Sequence, residues 1–239
     1  MKKAKKVLLL ALCAVLLVGA TIAGTVAYLT SQTAVVKNTF TVGKVQILLD
    51  EKDVDTSNTS TDKASADGRD LANKYHLMPG GTYDKDPTVH VHVDSEDAYV
   101  RMKVTVDNYD KLATAFPKTG DTAAYWVGDI FLLEKLVNWN KDWTYAGVQI
   151  ASDGKSAVYE FRYKEIVDVS KLTTNVVKAP DGESYKALPA LFTTITIPGT
   201  ISNEQIAALN TVEIHVVAHA IQSNNIEGGA EAAWTAFGN

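Results

Sequence analysis

Apolar and polar residues alternate along most of the chain, and the period is two. In 99–106, YVRMKVTV, Val100, Met102, Val104 and Val106 share one face while Arg101, Lys103 and Thr105 share the other, the pattern of a half-buried strand. In 88–94, TVHVHVD, the pattern predicts Val89, Val91 and Val93 toward the core and His90 and His92 toward solvent. Tyr159, Phe161 and Tyr163 alternate with Glu160 and Arg162, and Val212, Ile214, Val216, Ala218 and Ala220 fall on one face of 211–222. Further strands are predicted at 44–50, 144–151 and 191–197.

Turn chemistry separates these runs. Asp153-Gly154 predicts a hairpin turn, Pro180-Asp181-Gly182 a second turn, and Pro79-Gly80-Gly81 a stop before the next strand. Helices are predicted to be short: 109–116, 202–209 with Ser202 and Gln205 as a capping box, and 230–237 with Gly238 as its stop. Many antiparallel strands and a few short helices predict an all-β fold, a two-sheet antiparallel sandwich of jelly-roll type spanning 44–239. Residues 51–74 break the pattern, being polar and nearly free of bulky apolar groups, and are expected to form a mobile acidic loop.

The start of the chain follows a different rule. Lys2, Lys3, Lys5 and Lys6 precede an apolar run at 7–23, and small residues follow. This is the layout of a secretory signal peptide, 1–27, with the cut placed between Ala27 and Tyr28. The run is also at the short limit for spanning a bilayer, so an uncleaved anchor is the competing reading. Cleavage removes four Lys and no acid from 23 basic and 28 acidic residues, leaving 19 against 28 and a net charge of −9. Such a surface repels nucleic acid and anionic lipid, which argues against both as partners.

Cys13 is the only cysteine and lies inside the apolar run, behind Leu12 rather than the small residue a lipoprotein signal requires. The cleaved chain of about 212 residues therefore has neither disulfide nor thiolate metal site and must rely on its core. There is no LPxTG motif followed by an apolar tail, so the sequence supplies no stable membrane or wall anchor after cleavage.

Candidate chemistry is sparse. His90 and His92 lie about 7 Å apart on one strand face and are the weak candidates for a metal pair. No HExxH motif and no third ligand accompany them, and two solvated polar residues are the simpler reading. His215 and His219 share a face with Val217 and Ile221, a mixed surface rather than a ligand set. Asp50, Asp53, Asp55, Asp62 and Asp67 concentrate acid, but without the Gly and Glu of a calcium loop. There is no GxSxG elbow and no phosphate loop, so no catalytic residue and no cofactor is assigned. Trp126, Trp139, Trp143 and Trp234 are read as packing residues, with sugar stacking as the alternative.

Three stretches resemble one family. Gly24-Thr25-Val26-Ala27-Tyr28 followed by Asn38-Thr39-Phe40-Thr41-Val42-Gly43, then 77–104 and 218–237, resemble the TasA/camelysin group of secreted Gram-positive proteins. The region 110–190 carries no such likeness. The resemblance implies export through a SipW-type signal peptidase, a jelly-roll sandwich, and self-association into extracellular biofilm fibres, with minor matrix subunits as accessory partners. It also implies that the new N-terminal segment, 28–43, adds as a strand to a neighbouring subunit, with Tyr28, Leu29, Thr33, Ala34, Val35, Val36 and Asn38 in the assembly strand. Residues 28–38 are β-branched, weakly charged and free of Pro, which suits pairing with a sheet edge, although pairing within the subunit or fraying is the plainer alternative. Through camelysin the group also carries a metallo-endopeptidase label, and a surface adhesion module acting through exposed Trp is a third reading.

Overall fold

The computed structural model describes residues 43–54, 69–224 and 226–237. The chain falls into two units, Met1–Val42 and Gly43–Asn239, and all described residues belong to the second.

Two four-stranded antiparallel sheets form a sandwich. Sheet I comprises β1 (Ile47–Asp50), β3 (Thr88–His92), β10 (Ser184–Ala187) and β9 (Val176–Lys178), in the order β1-β3-β10-β9. Sheet II comprises β12 (Glu213–Gln222), β4 (Ala98–Asp107), β8 (Ser156–Tyr163) and β7 (Trp143–Ile150), in the order β12-β4-β8-β7. Two ribbons complete the strands, β2 (Thr82–Asp84) with β11 (Thr194–Thr196), and β5 (Trp126–Val127) with β6 (Ile130–Phe131). The chain passes from sheet I to sheet II between β3 and β4, returns between β8 and β9, and crosses again before β12. These crossings fit the jelly-roll-like sandwich class expected from the strand pattern, while the strand order is not encoded in the alternation.

The core lies between the sheets. Val89 and Val91 from sheet I meet Val100, Met102, Val104, Val106, Tyr159 and Phe161 from sheet II, all essentially without solvent exposure. Ile47 and Leu49 sit opposite Val91 and Val89 in the ladder and face the same core. The inward residues of β12 are half-buried and pack against it. Each fully buried side chain of this kind contributes roughly 1.5–3 kcal/mol relative to exposure, which is how a chain without disulfides holds together.

The turns form where the sequence places them. Gly154 (φ 69°) closes the β7–β8 hairpin, and Asp153 Oδ1 accepts from the Lys155 amide at 3.0 Å. Gly182 (φ 88°) closes β9–β10 in the same way, with Asp181 accepting from the Glu183 amide. The helices are α1 (Leu112–Ala115), extended at its start by a 3-10 turn, α2 (Asn203–Ala207) and α3 (Gly229–Ala236). Ser202 and Gln205 form the expected capping box, each accepting from the other's backbone N–H.

Three expectations need correction. The ends of the supposed mobile loop 51–74 are pinned: Glu51 and Asp70 exchange two backbone hydrogen bonds of 2.8 and 2.7 Å, and both side chains are buried. The expected mobility of 55–68 lies outside the described residues. The strand predicted over 191–197 shrinks to β11, because Leu191 and Phe192 leave the ladder to fill the core. The third correction concerns β3, which is buried on both faces rather than one.

Candidate functional site

His90 and His92 do project from the face of β3 opposite Val89 and Val91, but that face is covered. His90 is 3% exposed and His92 2%. The covering begins with Arg69, far away in sequence. Its Nε donates to Asp50 Oδ1 at 2.5 Å, its Nη1 to Asp86 Oδ2 at 3.0 Å, and its Nη2 to the Asp86 carbonyl and to Thr88 Oγ1. Burial pushes the guanidinium's pKa down, but the hydrogen bonds to Asp86 and Asp50 and their charges outweigh it, and the pKa rises overall. His90 Nε2 lies 2.8 Å from the same Asp50 oxygen. A carboxylate only accepts, so Nε2 carries the proton and donates.

The neighbouring histidine is fixed in a different way. His92 Nε2 donates to Glu183 Oε2 at 2.8 Å, and His92 Nδ1 accepts from the Asp94 amide at 3.0 Å. The Tyr185 ring packs edge-on against it, held by a 2.6 Å bond between Gln46 Nε2 and the Tyr185 hydroxyl oxygen. Both ring nitrogens of His92 are therefore engaged, and neither is open to a metal. Each histidine has a carboxylate partner, which offsets the cost of burying it beneath the covering segment, while His90 Nδ1 is buried with no hydrogen-bond partner among the described residues. Among the described residues no group of three or more His, Asp or Glu side chains is arranged to hold a metal ion.

The other sequence candidates are dispersed. Asp50 is buried in the Arg69 network, while Asp55, Asp62 and Asp67 lie outside the described residues. His215 is exposed beside Glu213 and Asp107, and His219 sits near the Phe237 ring. Trp126 packs on Phe131 and Tyr109, Trp143 on Tyr163, and Trp234 on Tyr99. Trp139 packs on Phe161 and Phe192 and also lines an aromatic cleft. Ala27, Tyr28, Leu29, Thr33, Ala34, Val35, Val36 and Asn38, the cleavage and assembly residues, lie outside the described residues, as does the apolar run 7–23. Among the described residues no helix is long and apolar enough to cross a membrane.

The residues that sequence reasoning missed are Arg69, Asp86, Glu183 and the buried pair of Lys85 with Glu51, whose Nζ donates to both carboxylate oxygens at 2.5 and 2.7 Å. Their signal was faint: Glu51 and Lys85 directly follow strands, Asp86 and Glu183 shortly precede them, and Arg69 adjoins no described strand.

The sheet edges are the remaining feature able to support an interaction. β1 and β12 lie side by side along one flank of the sandwich. On the other flank, β7 pairs only with β8 and β9 only with β10 among the described residues. β7 is eight residues long, and Thr144, Tyr145, Ala146 and Gln149 along it are exposed. A bulge between Tyr145 and Gly147 interrupts its ladder, the kind of irregularity that blunts an open edge.

Compared with known proteins, no family model, no curated protein and no solved structure matches the chain.

Proposed function

We propose that this protein is an exported structural subunit that acts by self-association outside the cell, with 28–38 as the strand that one copy lends to the next. What supports the reading is the flank of the sandwich where both sheets end in strands paired on one side only among the described residues, β9 and the regular 147–150 stretch of β7 beyond its bulge. An extended, weakly charged segment free of Pro is the kind of partner such an edge takes, and a head-to-tail contact that does not close gives a filament. The resemblance to the TasA/camelysin group points the same way.

The test is electron microscopy of purified 28–239 and 39–239 at high concentration and mildly acidic pH, which lowers the repulsion of a net −9 chain. Fibres from the longer chain and folded monomer from the shorter support the proposal. Fibres from 39–239 would remove the assembly strand from it.

A further inference from the structure

The aromatic cleft on the flank between β7 and the segment after β6 is the candidate. It measures about 310 Å³, in the range of small-ligand sites. Phe161 and Tyr159 form its buried floor, Phe131 and Trp139 its walls, and Tyr145 and Glu134 its rim. Trp139 is tilted over Phe161 with ring centroids 4.2 Å apart, and Tyr145, opposite Phe161 in the ladder, has its ring 5.6 Å away. Tyr145 is half exposed where the β7 bulge turns the strand.

We propose that this cleft binds a small organic cation of the quaternary-ammonium class. Five aromatic residues line it together with Ile130, Leu132 and Leu133, and the quadrupole of an aromatic ring attracts cations. Its only charged lining group is Glu134, which is exposed and enters no ion pair with another described residue. The Glu134 charge reaches into the cleft: after burial, it is the next cause raising the Tyr145 phenol's pKa, and it contributes at Tyr159 as well.

The lining also discriminates against other ligands. A sugar needs several hydrogen-bonding side chains around its hydroxyls. Here the Tyr159 hydroxyl is already committed, donating to the Phe131 carbonyl at 2.7 Å. A neutral hydrocarbon gains nothing from Glu134. A quaternary ammonium carries charge without N–H groups to satisfy, so an aromatic site with one carboxylate meets all of its needs.

Calorimetric titration of the purified protein with choline chloride, and with its uncharged isostere 3,3-dimethylbutan-1-ol, tests this. We expect choline to bind at least about tenfold more tightly than the isostere. Glu134→Gln weakens choline binding about fivefold and Tyr145→Ala about tenfold, while Tyr145→Phe retains it. Both positions are exposed, so these variants keep the fold, which circular dichroism verifies. Equal binding of the isostere, preferential binding of a hexose, no heat with choline, or full binding by Glu134→Gln would each overturn the proposal. The outcome is independent of fibre formation.

Discussion

The Arg101 guanidinium lies over the Phe237 ring, 4.6 Å from its centroid, and Nη2 donates to the Phe237 carbonyl at 3.2 Å. Arg162 lies 5.1 Å from the centroid of Trp234 in the same way, and Tyr99 packs edge-on against that indole. Two arginines on the outer face of sheet II thus dock helix α3 through its aromatic side. Burial pushes the Arg101 guanidinium's pKa down, with Glu160 opposing the shift and Arg162 adding to it.

Trp234→Ala should therefore undock the helix. Trp234 is 9% exposed, so its removal is expected to cost about 3 kcal/mol in urea unfolding. Limited proteolysis should then release the C-terminal helix while the sandwich survives. Resistance equal to the parent protein would show that α3 is held by something other than this stacking.

The same face predicts an acid sensitivity. Burial first, then Arg101 and Lys103, lower the His219 pKa, with Glu160 opposing; the Phe237 ring covers it from α3. A folded-state value below the ordinary 6.5 means that the unfolded chain takes up a proton the folded chain refuses. Stability from this site is present above about pH 6.5 and lost as pH falls toward the folded value. The melting temperature should fall between pH 7 and pH 5, and His219→Gln should reduce that slope. An unchanged slope in the variant would assign the acid sensitivity to other groups.

Arg69 carries a different consequence. The Asp50 side chain is fully buried, and its Oδ1 accepts from both Arg69 Nε and His90 Nε2. Arg69→Ala leaves that carboxylate without its permanent cation and should cost about 3–5 kcal/mol. Adding Asp50→Ala should recover part of the loss, since the uncompensated charge is then gone. A double variant no more stable than Arg69→Ala in urea unfolding would mean that Arg69 acts by packing its stem instead.

How much of this was legible in the sequence depends on distance along the chain. The alternation at Val100, Met102, Val104 and Val106 assigns β4 because neighbours in the strand carry the whole signal. Asp153-Gly154 and the Ser202–Gln205 box are equally local. The burial of His90 was not legible, since it depends on Arg69 returning over β3 and on Asp50 from β1, neither of which strand period encodes. The aromatic cleft joins Glu134, Trp139, Tyr145 and Phe161 from separate elements, so no spacing announces it. The strands β9 and β10 were missed because they are three and four residues long, too short to show a period, although their turn was marked.

Tyr159 offers a last test that separates stability from binding. Its hydroxyl donates to the Phe131 carbonyl and lies 3.4 Å from the Tyr109 hydroxyl, joining β8 to the β5–β6 ribbon. Burial, then the hydrogen bond with Tyr109, push the phenol's pKa far above its ordinary range, so it stays protonated as a donor at any working pH. Tyr159→Phe keeps the ring but strips the Phe131 carbonyl of this donor in a buried setting. We expect a loss of about 1–2 kcal/mol in urea unfolding. The Tyr159 ring, which lines the cleft, is unchanged, so choline affinity should match the parent's. A variant that unfolds at parental urea concentrations would mean that another donor takes the carbonyl over. Lost choline binding in a stable variant would place the hydroxyl, rather than the ring, in the ligand's contact shell.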